Sequence, residues 1–193
     1  MAEATETETR AQAALAALAA GETGALDDLM SLLGAPMTGF LARFLGSDDA
    51  ARDCTQDVFL AIWRSAARYD PARGGALSWI YAIARNKGRD ALRRRRLRQV
   101  IGLEPLGDVL ASDAPGPERV AMARSDVDRT RAVIHDLPDR QRMALLMSVV
   151  AGLSTAEIGS AMGLSNGAVE QLLVRARRRL RDVLSGEGKR DDG

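Results

Sequence analysis

The chain is 193 residues long, with 46% hydrophobic and only 4% aromatic residues and a net charge of +1. That is enough apolar material for one or two packed domains, and with so few aromatics the cores must be filled by aliphatic side chains and alanine, which favours helices over sandwiched strands. One cysteine, Cys54, and one histidine, His135, exclude an internal disulfide and a cysteine–histidine metal site and fit a reducing, cytoplasmic setting; no apolar run approaches the ~20 residues of a membrane span, and the acidic start lacks the order of a signal peptide.

Residues 1–22 are Ala, Glu and Thr with little large apolar content, and are expected to form a disordered extension in which Leu15 and Leu18 support at most a frayed helix. Residues 23–98 read as a helical domain. Leu26, Leu29, Met30, Leu32 and Leu33 recur at helical spacing, Gly34-Ala35-Pro36 predicts a turn, and Met37, Phe40, Leu41, Phe44 and Leu45 form a second stripe stopped by Gly46. Ser47 caps a third helix with Asp48 and Asp49 in its first turn; its apolar face runs through Ala51, Cys54, Val58, Phe59 and Ile62, and it is expected to end near Tyr69-Asp70-Pro71. After a loop containing Gly74 and Gly75, a fourth helix is predicted over 76–98, with Leu77, Ile80, Tyr81, Ala84, Gly88, Ala91 and Leu92 on its inner side. Residues 99–125 lose periodicity and carry three prolines and three glycines; they read as an acidic linker with room for a short helix around 105–111. Residues 126–185 resume helix: a short one to Ile134, another opening at Pro138 and ending at Gly152, then two more. A mobile tail is expected over 186–193.

The charge is patterned along the chain. The first thirty residues carry six acids against Arg10 alone, whereas residues 85–98 carry eight basic residues against Asp90 alone. A second basic block lies at 175–181, so two surfaces suited to a polyanion sit on one chain.

Two constellations carry the functional reading. In 152–181, Ser154 and Glu157 have capping-box spacing, Ile158 and Ala161 are core positions, Gly163 suits a left-handed helix end, and Ser165 caps a second, Arg-rich helix with Val169, Leu172, Leu173, Ala176 and Leu180 inside. Two short helices joined by a glycine turn form a helix-turn-helix, whose second helix fits the major groove with its first turns at base edges and its basic end at phosphate. The bland alternative is a helical hairpin with a solvated arginine face. In the predicted helix 76–98, Arg85, Asn86, Arg89, Arg93 and Arg96 recur on the outer side, an arrangement of like charges that repels itself until a polyanion is present. Tyr69, Trp79 and Tyr81 lie near its start, and flat side chains beside a basic helix suit an unstacked single strand. Core packing and base stacking both stay open for Trp79 and Tyr81.

These residues resemble the extracytoplasmic-function group of bacterial sigma-70-type RNA polymerase sigma factors over about 24–98 and 126–184. Asp53 through Arg64 looks like that family's polymerase-binding helix. Tyr69-Asp70-Pro71 through Gly74, then Leu77, Trp79, Ile80, Ile83-Ala84-Arg85-Asn86, Asp90 and Arg93 to Arg95 looks like its promoter-melting segment. Leu137-Pro138-Asp139-Arg140-Gln141-Arg142, Gly152-Leu153-Ser154, Glu157-Ile158 and Arg175-Ala176-Arg177 look like its region four. The resemblance implies an all-α protein of two helical domains, a four-helix region 2 and a helix-turn-helix region 4, joined by a flexible linker. It implies that Gln56, Asp57, Leu60 and Trp63 dock on core RNA polymerase. It places Arg85, Asn86, Arg89, Asp90 and Arg93 with Trp79 and Tyr69 at the promoter −10 element, where loop 68–75 holds a flipped base. It places Ser165, Asn166, Glu170, Gln171, Arg175 and Arg178 at the −35 element. Its implied partners are core polymerase, promoter DNA and an anti-sigma factor, with the protein monomeric when free or paired with that factor, and with no cofactor, metal or membrane insertion. The chain departs from the family at Ala168-Val169-Glu170-Gln171-Leu172, where many members carry a Thr-Val-Lys-Ser-Arg type sequence; Glu170 can accept from cytosine or face a neighbouring arginine.

Two rivals remain at this level. A freestanding helix-turn-helix regulator leaves 47–98 unexplained, and a sigma-like decoy that sequesters a regulator is opposed by the intact arginines of 85–98. An enzyme is not expected, because no phosphate-cradling loop, ligand cluster or nucleophile–base arrangement is present in the sequence.

Overall fold

The computed structural model describes residues 2–100 and 130–187, and all regular structure among them is helical. The helices are α1 (Ala2–Ala19), α2 (Ala25–Leu45), α3 (Asp48–Ser65), α4 (Ala76–Val100), α5 (Asp139–Val149), α6 (Thr155–Met162) and α7 (Asn166–Glu187), with 3-10 turns at Ala66–Arg68 and Pro71–Arg73 and a short helical segment over 130–135. The expected linker beyond Val100, its short helix at 105–111 and the tail from 188 lie outside the described residues.

The start of the chain departs from the expected disorder. Residues 2–19 are one helix, because Ala11, Leu15 and Leu18 form a buried stripe that packs on α2, α4 and the turn Ala66–Arg68. Alanine and glutamate need little tertiary help to stay helical, and a narrow stripe of small apolar groups supplies it.

The predicted turn at Gly34-Ala35-Pro36 is also absent. Helix α2 runs straight through Pro36, with Leu29, Leu33, Met37, Phe40, Leu41 and Phe44 buried along one unbroken side. Proline removes one backbone donor and crowds the preceding turn. Thr38 Oγ1 donates to the Gly34 carbonyl at 2.9 Å, and burial of six large side chains, each about 1.5–3 kcal/mol, outweighs the ~3 kcal/mol cost. The four-helix unit therefore exists, but it comprises α1 to α4, with two expected helices fused into one and an unexpected one added.

Gly46 ends α2 at φ 70° with its N–H on the Ala42 carbonyl, and Ser47 Oγ then accepts from Ala50 N at 3.3 Å to start α3. Helix α3 stops at Ser65, earlier than expected, and two 3-10 turns carry the chain to Gly74, with Asp70 capping the second through Ala72 N at 3.0 Å. Cys54 faces the core at 2% exposure. Burial first, and Asp57 second, push its thiol up to about 11 from 9.0. Native protein is expected to react with an aromatic disulfide reagent at pH 7 about a hundredfold more slowly than denatured protein, since the thiolate is the nucleophile; comparable rates in the two states would show that this face of α3 is open.

In the second half, Ser154 and Glu157 form both bonds of the capping box, and Gly163 closes α6 at φ 66°. Gly159 allows the turn into α7 to fold back tightly, because a Cβ there would stand 2.8 Å from the Leu164 carbonyl oxygen. Val169, Leu173 and Ala176 pin α7 against α5 and α6. The two halves share one core: Met143, Leu146, Met147, Ile158 and Ala161 belong to the same buried cluster as Phe40, Phe44 and Ile80. Helix α6 packs on α4 and α5 on α2.

Candidate nucleic-acid and polymerase interfaces

Three outward faces carry the residues singled out by sequence. On α3, Gln56, Leu60 and Trp63 follow one another at helical spacing and are all exposed, Leu60 at 44% and Trp63 at 48%. Ile62 and Phe59, their neighbours in sequence, are buried. Asp57 stands apart from this stripe, turned toward α4, where its carboxylate lies 3.7 Å from Arg94.

On α4, Asn86, Arg89, Arg93 and Arg96 are exposed along one side. With Asp90 and Asp139 they line an open cleft of about 490 Å³. Arg85 is half-buried and its guanidinium grips Asn86 Oδ1 through Nε at 3.2 Å and Nη2 at 3.0 Å. This leaves the Asn86 amide N–H groups free of that contact, fixing which edge of the side chain is offered to a base. Burial, then Arg89 and Arg140, lower the Arg85 pKa, which for a guanidinium leaves it charged. Asp90 lies 3.1 Å from Arg93 on the same side of the helix.

The structure separates the aromatics that sequence left open. Tyr81 is core: 2% exposed and packed edge-on against Phe40 with ring centroids 5.1 Å apart. Trp79 is only partly buried and pairs with Tyr69 across the mouth of the loop, with centroids 5.7 Å apart and planes tilted by 56°. Tyr69 and Trp79 thus lie at the loop, one turn or more from Asn86.

On α7, Ser165 caps the helix through Ala168 N at 3.3 Å, and Asn166, Glu170, Gln171, Arg175 and Arg178 all lie on its exposed half. Arg178 approaches Asp182 at 3.7 Å. Glu170 is exposed and forms no ion pair among the described residues. Val174, absent from the sequence-based set, is 64% exposed in the middle of this face. Its signal was available: it falls out of step with Val169, Leu172, Leu173 and Ala176.

Sequence reasoning also missed Arg142. It is 3% exposed, donates to the His135 carbonyl at 2.9 Å and to Asp139 at 2.8 Å, and lies 5.0 Å from the Phe44 ring centroid. Asp139 accepts from Arg96 of α4 as well, at 3.1 Å, and Arg95 reaches the Leu45 carbonyl at 3.2 Å. The second half therefore abuts the basic face of the first.

Residues 29–98 match the family described as Sigma-70 region 2, and residues 128–180 match Sigma-70, region 4. Over 190 residues the chain is 36% identical to the ECF RNA polymerase sigma factor SigF of Caulobacter vibrioides, covering 98% of this chain and 99% of that protein. The chain belongs to the extracytoplasmic-function (ECF) group of RNA polymerase sigma factors. This sigma factor is also 33% identical over 178 residues to the RNA polymerase sigma factor CnrH of Cupriavidus metallidurans, covering 89% of this chain and 93% of that one. The solved structure of CnrH in complex with the cytosolic domain of CnrY aligns with a TM-score of 0.70 at 25% identity, over 92% of this chain and 98% of that chain. The first two faces of the sigma factor lie within its region 2 match and the third within its region 4 match. Among the described residues no helix is long and apolar enough to cross a membrane.

Proposed function

We propose that this sigma factor directs core RNA polymerase to specific promoters and stabilises the opened −10 strand, acting by binding energy without covalent chemistry. The observation that carries the reading is the pairing of an exposed apolar stripe (Leu60, Trp63) with the Asn86–Arg89–Arg93 row on the adjacent helix. One body of four helices thereby offers a protein-docking face and a nucleic-acid face at once.

In this reading the stripe Gln56, Leu60 and Trp63 docks on polymerase, with Asp57 orienting Arg94. Asn86, held by Arg85, reads a −10 base; Arg89 and Arg93 meet phosphate; Tyr69 and Trp79 stack on a base turned out of the duplex, whose unstacking costs a few kcal/mol. Asn166, Glu170, Gln171, Arg175 and Arg178 face the −35 element, with Glu170 free to accept from cytosine. Region 2 is taken to extend over 23–98, with α1 packed against it, and region 4 from 126 to 185, and the site of action is the cytoplasm. The CnrH relative, solved with CnrY, supports a protein regulator for this chain too: an anti-sigma factor that holds the two halves while their basic faces are covered.

Run-off transcription with purified core polymerase, over promoters randomised at both elements, tests this. Wild type is expected to select a defined pair of elements. Asn86→Ala is expected to lower initiation about five- to a hundredfold, since one well-placed base contact is worth about 1–3 kcal/mol. Tight polymerase binding with no initiation on any template would instead mark the protein as a decoy.

A further inference from the structure

The start of α4 is a helix end that its own flanking sequence cannot cap. Gly74 and Gly75 precede it and have no side chains, and the first backbone N–H groups of a helix have no partner within it. The partner comes from the first helix, remote in sequence and adjacent in space. The Glu8 carboxylate of α1 accepts from Ala76 N through one oxygen and from Leu77 N at 3.0 Å through the other. Gly75 makes room for it: a Cβ at that position would lie 2.8 Å from Glu8 Oε1. The same carboxylate is close enough to Tyr69 to add to the effect of burial in raising its hydroxyl pKa. Helix α1 also packs on the turn Ala66–Arg68, so it touches both ends of loop 69–75.

We propose that Glu8 is a positioning residue for −10 recognition: by capping α4 from a distance it fixes the loop that sets Tyr69 against Trp79, and so determines how selectively the opened strand is captured. The inference rests on the assignment of this loop and of α4 to the −10 element. A charged acceptor at a helix N-terminus is favourable both as a cap and against the helix dipole. It also fills a position that would otherwise attract a phosphate, since unpaired N–H groups at a helix start bind anions. With that place taken, the strand is held by its bases on the aromatic pair and by phosphates further along α4.

The test uses holoenzyme formed with Glu8→Ala, Glu8→Gln and Gly75→Ala. Each is titrated with a labelled single-stranded oligonucleotide carrying the selected −10 sequence and with a scrambled one. The preference for the correct strand is expected to fall about five- to tenfold in Glu8→Ala, as for loss of a helix cap converted to an affinity ratio. Gly75→Ala is expected to behave alike, and Glu8→Gln to retain most of the preference through its remaining acceptor. Affinity for core polymerase should stay within twofold. An unchanged preference in Glu8→Ala, beside a wild type that discriminates, overturns the proposal. So does an equal loss on both oligonucleotides with a lowered melting temperature, which would make Glu8 a matter of stability alone. A wild type that does not discriminate between the strands overturns the −10 assignment itself and the proposal with it.

Discussion

Arg142→Ala is expected to lower the unfolding free energy by about 2–4 kcal/mol, for a buried carbonyl left unpaired and a cavity opened in the core. The side chain is 3% exposed and answers three groups at once: the His135 carbonyl, the Asp139 carboxylate and the face of the Phe44 ring. Truncation leaves that carbonyl unpaired and opens space beside Phe44, which itself has no exposure. The guanidinium is an imperfect fit, since its Nε is buried without a partner among the described residues and burial lowers its pKa. Arg142→Met, which keeps much of the volume and discards the charge, is therefore expected to recover part of the loss. Urea denaturation followed by circular dichroism checks both variants. A change below about 1 kcal/mol in Arg142→Ala would mean that the group is solvated in the folded protein.

Trp63→Ala is expected to weaken binding to core polymerase by at least thirtyfold while leaving the fold intact. A central aromatic in a protein interface commonly contributes 2 kcal/mol or more, and about 1.4 kcal/mol is tenfold in affinity. With 48% of its surface exposed, Trp63 contributes little to the core, and its replacement leaves Phe59 and Ile62 in place beneath. Leu60→Ala should act in the same direction and less strongly. Fluorescence anisotropy of labelled protein titrated with core polymerase measures this. An affinity within twofold of wild type would remove the outer face of α3 from the interface.

Much of this site was readable because helical periodicity separates inward from outward residues. Asn86, Arg89 and Arg93 on α4, and Gln171, Arg175 and Arg178 on α7, fall outside for the same reason that Ile80, Ala84 and Val169 fall inside. The Ser154–Glu157 cap and the Gly163 helix end were readable because their chemistry is local. What failed was non-local. Glu8 looked like one acid in a polar extension, and its partners lie 68 and 69 positions away. Pro36 after Gly34 gives a correct local turn signal, which lost to burial of the stripe on both sides of it. Arg142 closes a stretch with three other charged residues, Asp136, Asp139 and Arg140, and nothing in that stretch says which one turns inward. Tyr81 and Trp79 have equal claims by type, and only the packing of Phe40 against one of them decides.

The arginines of α4 are not bare. Arg93 holds Asp90 and Arg96 holds Asp139, each at 3.1 Å, and Arg94 leans on Asp57 at 3.7 Å. When such a side chain turns to a DNA phosphate, the carboxylate it leaves takes up a cation from solution, which cancels part of the counterion release that normally makes DNA binding weaken with added salt. Each phosphate contact ordinarily steepens that dependence by about 0.7–0.9 in log–log slope. The basic helix should therefore respond to ionic strength less steeply than its eight basic residues would by themselves. If α4 meets promoter DNA as proposed, its own acids make that hold less sensitive to salt than the arginine row alone would be.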